Sequence, residues 1–185
     1  MLVLASSSPR RQELLRNAGF EFTVQPANIP EELQEGERPN AFAERLAREK
    51  AQTVFQKRPN DTILGADTIV NVEGEILGKP RDNADAQRML KLLSGRTHQV
   101  TTGVCLIGAG FCDARSETTS VQMIPFSAKE IASYVATGEC LDKAGAYPIQ
   151  GFASRWISRI EGDYFNVVGL PVSLVYRMLR EHGAV

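Results

Sequence analysis

The chain has 185 residues, 43% hydrophobic and 23% charged, with 21 Lys+Arg against 22 Asp+Glu for a formal net charge of -1. Those proportions describe one folded domain able to bury about 70% of its unfolded surface, and they exclude disordered, collagen-like and disulfide-miniprotein classes. The near-neutral balance argues against a main role in gripping long nucleic acid, which needs clustered cations against phosphates, while small anions stay open.

In chain order, Leu2 to Ala5 is an apolar run of buried-strand length, and Ser8-Pro9 opens a helix to about Ala18 that Gly19 closes. Phe20 to Gln25 alternates as a strand, and Ile29 to Pro39 is acidic and proline-containing, which reads as a surface loop. From Ala41 to about Lys57, Phe42, Leu46, Ala47 and Val54 keep near-helical spacing, with Glu44, Arg45, Arg48 and Glu49 marking a wet side. Thr62 to Val72 is β-rich, and Glu73-Gly74 turns it into Glu75 to Leu77 as a hairpin. Asp82 caps a helix to about Leu93, and strands follow at Gln99 to Ile107 and about Ser116 to Ile124. Ser127 and Glu130 form the reciprocal capping pattern of a helix that runs to Gly138. Trp156 to Ile160 gives one more strand and Pro171 to about His182 a last helix. The class is α/β, with antiparallel pairs expected at the hairpins and no repeat or linker.

Cys105, Cys112 and Cys140 form no CxxC pair, so neither a disulfide framework nor a cysteine zinc site is indicated, and reduced cytosolic thiols are the simplest reading. No stretch approaches the ~18 apolar residues that span a bilayer, and Leu2 to Ala5 is too short for a signal-peptide core. A soluble, cytoplasmic protein with no membrane contact is expected. His98 and His182 stand far apart and outside the segments below, which gives little support to histidine-based metal binding or catalysis.

Three segments carry chemistry. Ser6-Ser7-Ser8-Pro9-Arg10-Arg11 sits between a strand and a helix, where amide groups, hydroxyls and two guanidiniums would together hold a polyphosphate. A well-capped helix with solvated arginines is the alternative. Gly65-Ala66-Asp67-Thr68-Ile69-Val70 sets an Asp inside an apolar β-run, where a charge is costly unless paired or metal-bound. It holds a cation, accepts a proton from water, or makes a structural hydrogen bond at a strand end. Lys79, in the Leu77-Gly78-Lys79-Pro80 turn, and Lys50, in Arg48-Glu49-Lys50 on the long helix, are taken singly as solvated charges. Glu31 and Glu32 in the acidic loop would add to Asp67 the oxygen donors that Mg2+ or Mn2+ prefers when phosphates complete the shell. Asp142 to Gly151 is dense in small residues, and its Gln150 offers a planar donor and acceptor to a base edge, unless the segment is merely a structural turn.

Together with Asn166-Val167-Val168-Gly169-Leu170-Pro171, these segments keep an order and spacing, from Leu4 to Pro171, that strongly resembles the Maf family of nucleoside triphosphate pyrophosphatases. The resemblance implies a mixed elongated sheet with flanking helices, two lobes around a nucleotide cleft and a likeness to inosine triphosphate pyrophosphatase, all within a single domain, 1–185. It implies hydrolysis of a nucleoside triphosphate to the monophosphate and pyrophosphate with a divalent cation, Mg2+ or Mn2+, often in a homodimer. The Asp142 to Gly151 segment is similar to the branch acting on dTTP and UTP, with modified uridine triphosphates and a historical association with septum formation and cell division arrest. Carried over by position, Asp67 matches the proton acceptor; Arg10, Thr68 and Gln150 match positions linked to substrate choice. Ser8, Arg11, Lys50 and Lys79 match phosphate-side positions, and Glu31 falls where an acidic residue stands near the metal. Pro148 replaces an expected glycine and removes an amide donor ahead of Gln150, and Cys140-Leu141 also departs from the commoner form.

Overall fold

The computed structural model describes residues 1–184. Seven strands form one mixed sheet in the order β2-β1-β3-β5-β6-β7, with β4 paired to β3, and helices flank it. The strands are β1 (Leu2–Leu4), β2 (Phe22–Val24), β3 (Thr62–Val72), β4 (Glu75–Leu77), β5 (Thr97–Gly108), β6 (Phe111–Met123) and β7 (Ile157–Glu161). The helices are α1 (Pro9–Asn17), α2 (Pro39–Phe55), α3 (Asn83–Leu93), α4 (Ala128–Val135), α5 (Tyr164–Val168) and α6 (Val172–Glu181). Contacts divide the chain into two compact units, the first made of Met1–Thr68, Thr102–Glu117 and Gly169–Val185, the second of Ile69–Thr101 and Thr118–Val168.

In the first unit, β1 runs parallel to both neighbours, Leu2 lying opposite Phe22 on β2 and Thr62 on β3. All three β1 residues are buried, as a parallel strand flanked on both sides requires. Ser8 caps α1 by accepting the Arg11 amide, with Pro9 at the first helical position. The core packs Val3 and Ala5 with Ala47, Ala51 and Val54 of α2, and with Ile63, Cys105 and Ile107. Two glycines let α2 lie directly on the sheet. A Cβ on Gly65 would stand 2.1 Å from the Ala47 carbonyl oxygen, and one on Gly103 would stand 2.2 Å from that of Ala43. Only a residue without a side chain permits that approach.

The second unit has its own core, in which Val70, Leu77, Leu90 and Val121 meet Phe126, Tyr134, Tyr147 and Trp156. Phe126 stacks on Trp156 at a centroid distance of 4.2 Å, and Tyr134 meets the same indole edge-on at 5.4 Å. The β3–β4 pair is antiparallel, as the Glu73-Gly74 hairpin signal predicts, and β7 lies antiparallel to β6 across a long connection. Asp82 accepts the Asp85 amide at 2.8 Å, and both halves of the Ser127/Glu130 capping box are present.

Several boundaries differ from expectation, among them the end of α4, at Val135 rather than Gly138, and the start of β7, at Ile157 because Trp156 closes a 3-10 turn. β6 begins at Phe111 rather than near Ser116, because its polar start is satisfied laterally: Asp113 pairs with Arg115 at 2.7 Å, and Ser116 donates to Glu44 at 2.6 Å. Helix α2 starts at Pro39, whose fixed φ suits the first turn. The short α5 lacks a periodic run to announce it; Asp163 Oδ1 caps it by accepting the Phe165 amide at 2.7 Å. Asp142 to Gly151 resolves into a 3-10 turn over Ala144–Ala146, with a second over Phe152–Trp156. Among the described residues no helix is long and apolar enough to cross a membrane.

Candidate active site

Within the first unit the structure gathers most of the expected site residues. Asp67 lies on β3 and Lys50 on α2, brought together by the close approach that Gly65 permits. Lys50 Nζ donates to Asp67 Oδ1 and to Glu31 Oε1, each at 2.6 Å. Lys50 is 8% and Asp67 7% exposed, so the lysine that reads as a solvated charge in isolation is a buried partner of two carboxylates. Helical spacing explains the difference: Lys50 falls on the same face of α2 as the buried Phe42, Leu46 and Val54, and only an acid on the sheet makes that tolerable.

The acidic loop is fastened to α2 rather than loose. Arg45 donates to Glu37 Oε1 at 2.7 Å and Oε2 at 2.8 Å, to Glu49 at 3.0 Å and to the Glu32 carbonyl at 2.9 Å. The Glu37 carboxyl is accordingly held below its ordinary range by the Arg45 guanidinium. Of the adjacent acids, Glu31 is the one whose side chain reaches Lys50.

Arg11 is locked on three sides. Its Nε donates to the Gly169 carbonyl at 2.8 Å, Nη1 to Ser6 Oγ at 3.1 Å and Nη2 to Thr68 Oγ1 at 3.0 Å. Three of five N–H donors are thus used for orientation, and one hydrogen on each terminal nitrogen is left for an anion. Thr68 is engaged as well, 2.9 Å from Thr102 Oγ1 and 3.4 Å from the Gly169 carbonyl. Ser8 Oγ accepts the Arg11 amide at 3.5 Å, so that amide is capped internally, whereas all the amides at the start of α1 are open donors in the sequence reading. Arg10, half-buried, lies close enough to disfavour the charge on Arg11. Lys79 and Gln150 belong to the second unit, where both are exposed, Lys79 in the turn after β4 and Gln150 between the two 3-10 turns.

Burial is the main influence on both key ionisable groups. It pushes the Asp67 carboxyl up, against the pull of Lys50 and Arg11, and pushes the Arg11 guanidinium down, against the pull of Asp67. A carboxylate made more basic by burial is better suited to accept a proton. Asp67 and Glu31 supply hard oxygen donors that already share one positive charge, a donor set that fits Mg2+ or Mn2+. No group of three or more His, Cys, Asp or Glu among the described residues could hold a metal by itself, so phosphate and water would fill the remaining positions.

Ser6, Thr102 and Gly169 escaped the sequence reading as site residues. Ser6 and Gly169 lie inside segments with a chemical signal, yet no pattern announces that a carbonyl 158 positions away will orient Arg11. Thr102, on an apolar strand, gave no signal.

The mixed α/β fold is similar to that of the Ham1 protein of Staphylococcus aureus, at a TM-score of 0.58 with 15% identity over 98% of each chain. The Maf-like protein family model matches residues 1–182, and the chain belongs to that family. It is 56% identical over 184 residues to the dTTP/UTP pyrophosphatase of Koribacter versatilis, covering 100% of this chain and 95% of that one. The dTTP/UTP pyrophosphatase of Symbiobacterium thermophilum is 50% identical over 182 residues, 98% of this chain and 94% of its own, and that of Bacillus pumilus 44% over 98% and 96%.

Proposed function

We propose that the protein hydrolyses dTTP and UTP to the monophosphate and pyrophosphate. The single observation that carries this reading is the buried Asp67, paired with Lys50 and facing the charge of a guanidinium fixed by three acceptors. The names of relatives 44–56% identical over nearly the whole chain supply the substrate.

In this reading Arg11, Arg10, Ser8, Lys50 and Lys79 take up the negative charge of the triphosphate. Water oxygen bonds to the α-phosphorus, the bond from that phosphorus to the oxygen bridging toward the β-phosphorus breaks, and pyrophosphate departs. The water proton goes to Asp67, whose Oδ1 already accepts from Lys50. Asp67 and Glu31 would hold the divalent cation, Mg2+ or Mn2+, which when bound supplies phosphate charge neutralisation and a more acidic water. Gln150 and Thr68, with Arg10, select the base, the Gln150 carboxamide donating to O4 and accepting from N3–H of uracil or thymine. The roles of Lys79 and Gln150 rest on their segments in the sequence. The family resemblance of the sequence extends the reading to turnover of modified uridine triphosphates that limits their incorporation, a link to cell division arrest, a single domain and a homodimer, and the unpaired cysteines extend it to a cytoplasmic location.

Incubation of the purified protein with UTP and Mg2+, followed by product identification, tests the reading. UMP and pyrophosphate are expected. UDP with orthophosphate would replace it by a terminal phosphatase, and binding without any product would replace it by a nucleotide sensor.

A further inference from the structure

The stretch from Lys143 to Phe152 carries backbone strain at a residue that is not glycine. Ala146 sits at φ 64, directly after Gly145 at φ 69. A left-handed backbone is disfavoured for any residue with a Cβ and persists only where the surroundings over-determine it. A buried methyl group gives no reason by itself for that backbone. The reason lies next door, where Tyr147, 5% exposed, has its hydroxyl 2.6 Å from His98 Nε2. The two rings meet edge to face at 84°.

His98 is 2% exposed, and burial lowers its pKa to about 4, so the ring is neutral at pH 7. Its other nitrogen, Nδ1, has no hydrogen-bond partner among the described residues. An orphaned buried polar atom destabilises, and a phenylalanine would fill the same space without one. What the imidazole adds is its bond to Tyr147. The rest of the segment is tied down too: the Gly145 amide donates to the Gly78 carbonyl at 3.0 Å, the Ala146 amide to the Lys143 carbonyl at 3.0 Å, and the Phe152 amide to Glu139 Oε2 at 3.1 Å. Gln150 lies between the Tyr147 and Glu139 anchors, with Pro148 stiffening the approach to it.

We propose that His98 is a positioning residue for nucleotide selection: through Tyr147 it holds the Gly145–Ala146 turn in its strained form and so fixes the direction in which Pro148 to Gln150 presents the Gln150 side chain. The proposal rests on the dTTP/UTP reading above. His98 touches no reacting atom; it acts through Tyr147 on a residue that does the reading.

Pyrophosphate release from UTP, dTTP and CTP with Mg2+ is measured for wild type, His98→Phe, His98→Gln, Tyr147→Phe and the His98→Phe/Tyr147→Phe double variant. His98→Phe and Tyr147→Phe are each expected to lower the preference for UTP over CTP about five-fold, mainly through KM for UTP, with the double variant no worse than either. His98→Gln, whose carboxamide nitrogen can stand where Nε2 stood, should recover most of the preference. An equal fall in kcat/KM for all three nucleotides would make the pair merely structural and overturn the proposal. Additive losses in the double variant, or an unchanged preference in Tyr147→Phe, would do the same. Should His98→Phe fail to fold, as judged by its melting curve, Tyr147→Phe decides alone, since it keeps the volume and removes only the hydroxyl. Wild type releasing no pyrophosphate from UTP or dTTP would bring down the activity reading and this proposal with it; wild-type release with unaltered preference in the variants would bring down the proposal alone.

Discussion

In the first unit the buried Lys50 joins two carboxylates, Asp67 and Glu31, while in the second the buried pair of His98 and Tyr147 is neutral. The contrast follows from what each region handles under the proposed function. Phosphates carry charge, and a charge is met by opposite charges whose desolvation has already been offset within the protein. A base edge is neutral, so it is met by geometry: a strained turn at Gly145–Ala146 and a hydrogen bond that holds it. The ionic region should therefore respond to mutation in rate and pH dependence, and the neutral one in selectivity and acid stability.

The largest expected effect breaks the ionic side. Asp67→Asn should lower kcat by about 100-fold or more, read as pyrophosphate release under metal saturation. Near-normal turnover in the folded variant would remove the proton-acceptor role. Next comes the packing that creates the pair. Gly65→Ala should cost about 2 kcal/mol of stability, read by denaturant unfolding, because its Cβ would meet the Ala47 carbonyl oxygen at 2.1 Å. A variant as stable as wild type would show that α2 can shift without loss.

Lys50→Met sharpens the electrostatic side. Lys50 draws the Asp67 pKa down against burial, so its removal raises that pKa further and moves the acid limb of the kcat profile to higher pH. A drop of about tenfold in kcat at mildly acidic pH is expected, with partial recovery as pH rises. A profile that falls uniformly at every pH would assign Lys50 to phosphate contact alone.

The smallest effect belongs to the neutral pair. Folding lowers the His98 pKa from 6.5 to about 4, so between those values the unfolded chain binds a proton that the folded one does not. Stability is therefore lost as pH falls through that window, by about 1 kcal/mol between pH 8 and pH 5.5 from this group. His98→Phe should flatten that part of the pH–stability curve, and an unchanged slope would place the acid sensitivity elsewhere.

Much of the fold was legible because its signals are local. Pro9 behind a serine cap, Asp82 three residues before the amide it accepts, and Ser127 with Glu130 each complete their hydrogen bonds within one turn, so the sequence states them outright. The first half of β6 was not legible, because its polar residues are satisfied by Glu44 and Glu181, far away in the chain. The same distinction runs through the site. Asp67 declared itself as a charge in an apolar strand, whereas Lys50 looked like any helical surface lysine until the sheet supplied its partner.

The sequence by itself determined the order of the elements apart from α5, the caps at Ser8, Asp82 and Ser127, and the presence of an acid in a buried strand, since each depends on neighbours within a few residues. Tertiary structure alone decided that Lys50 bridges two carboxylates, that the Gly169 carbonyl aims Arg11, and that His98 holds Tyr147. Those contacts join residues 17 to 158 positions apart, where only the packing of helices on the sheet determines which groups meet.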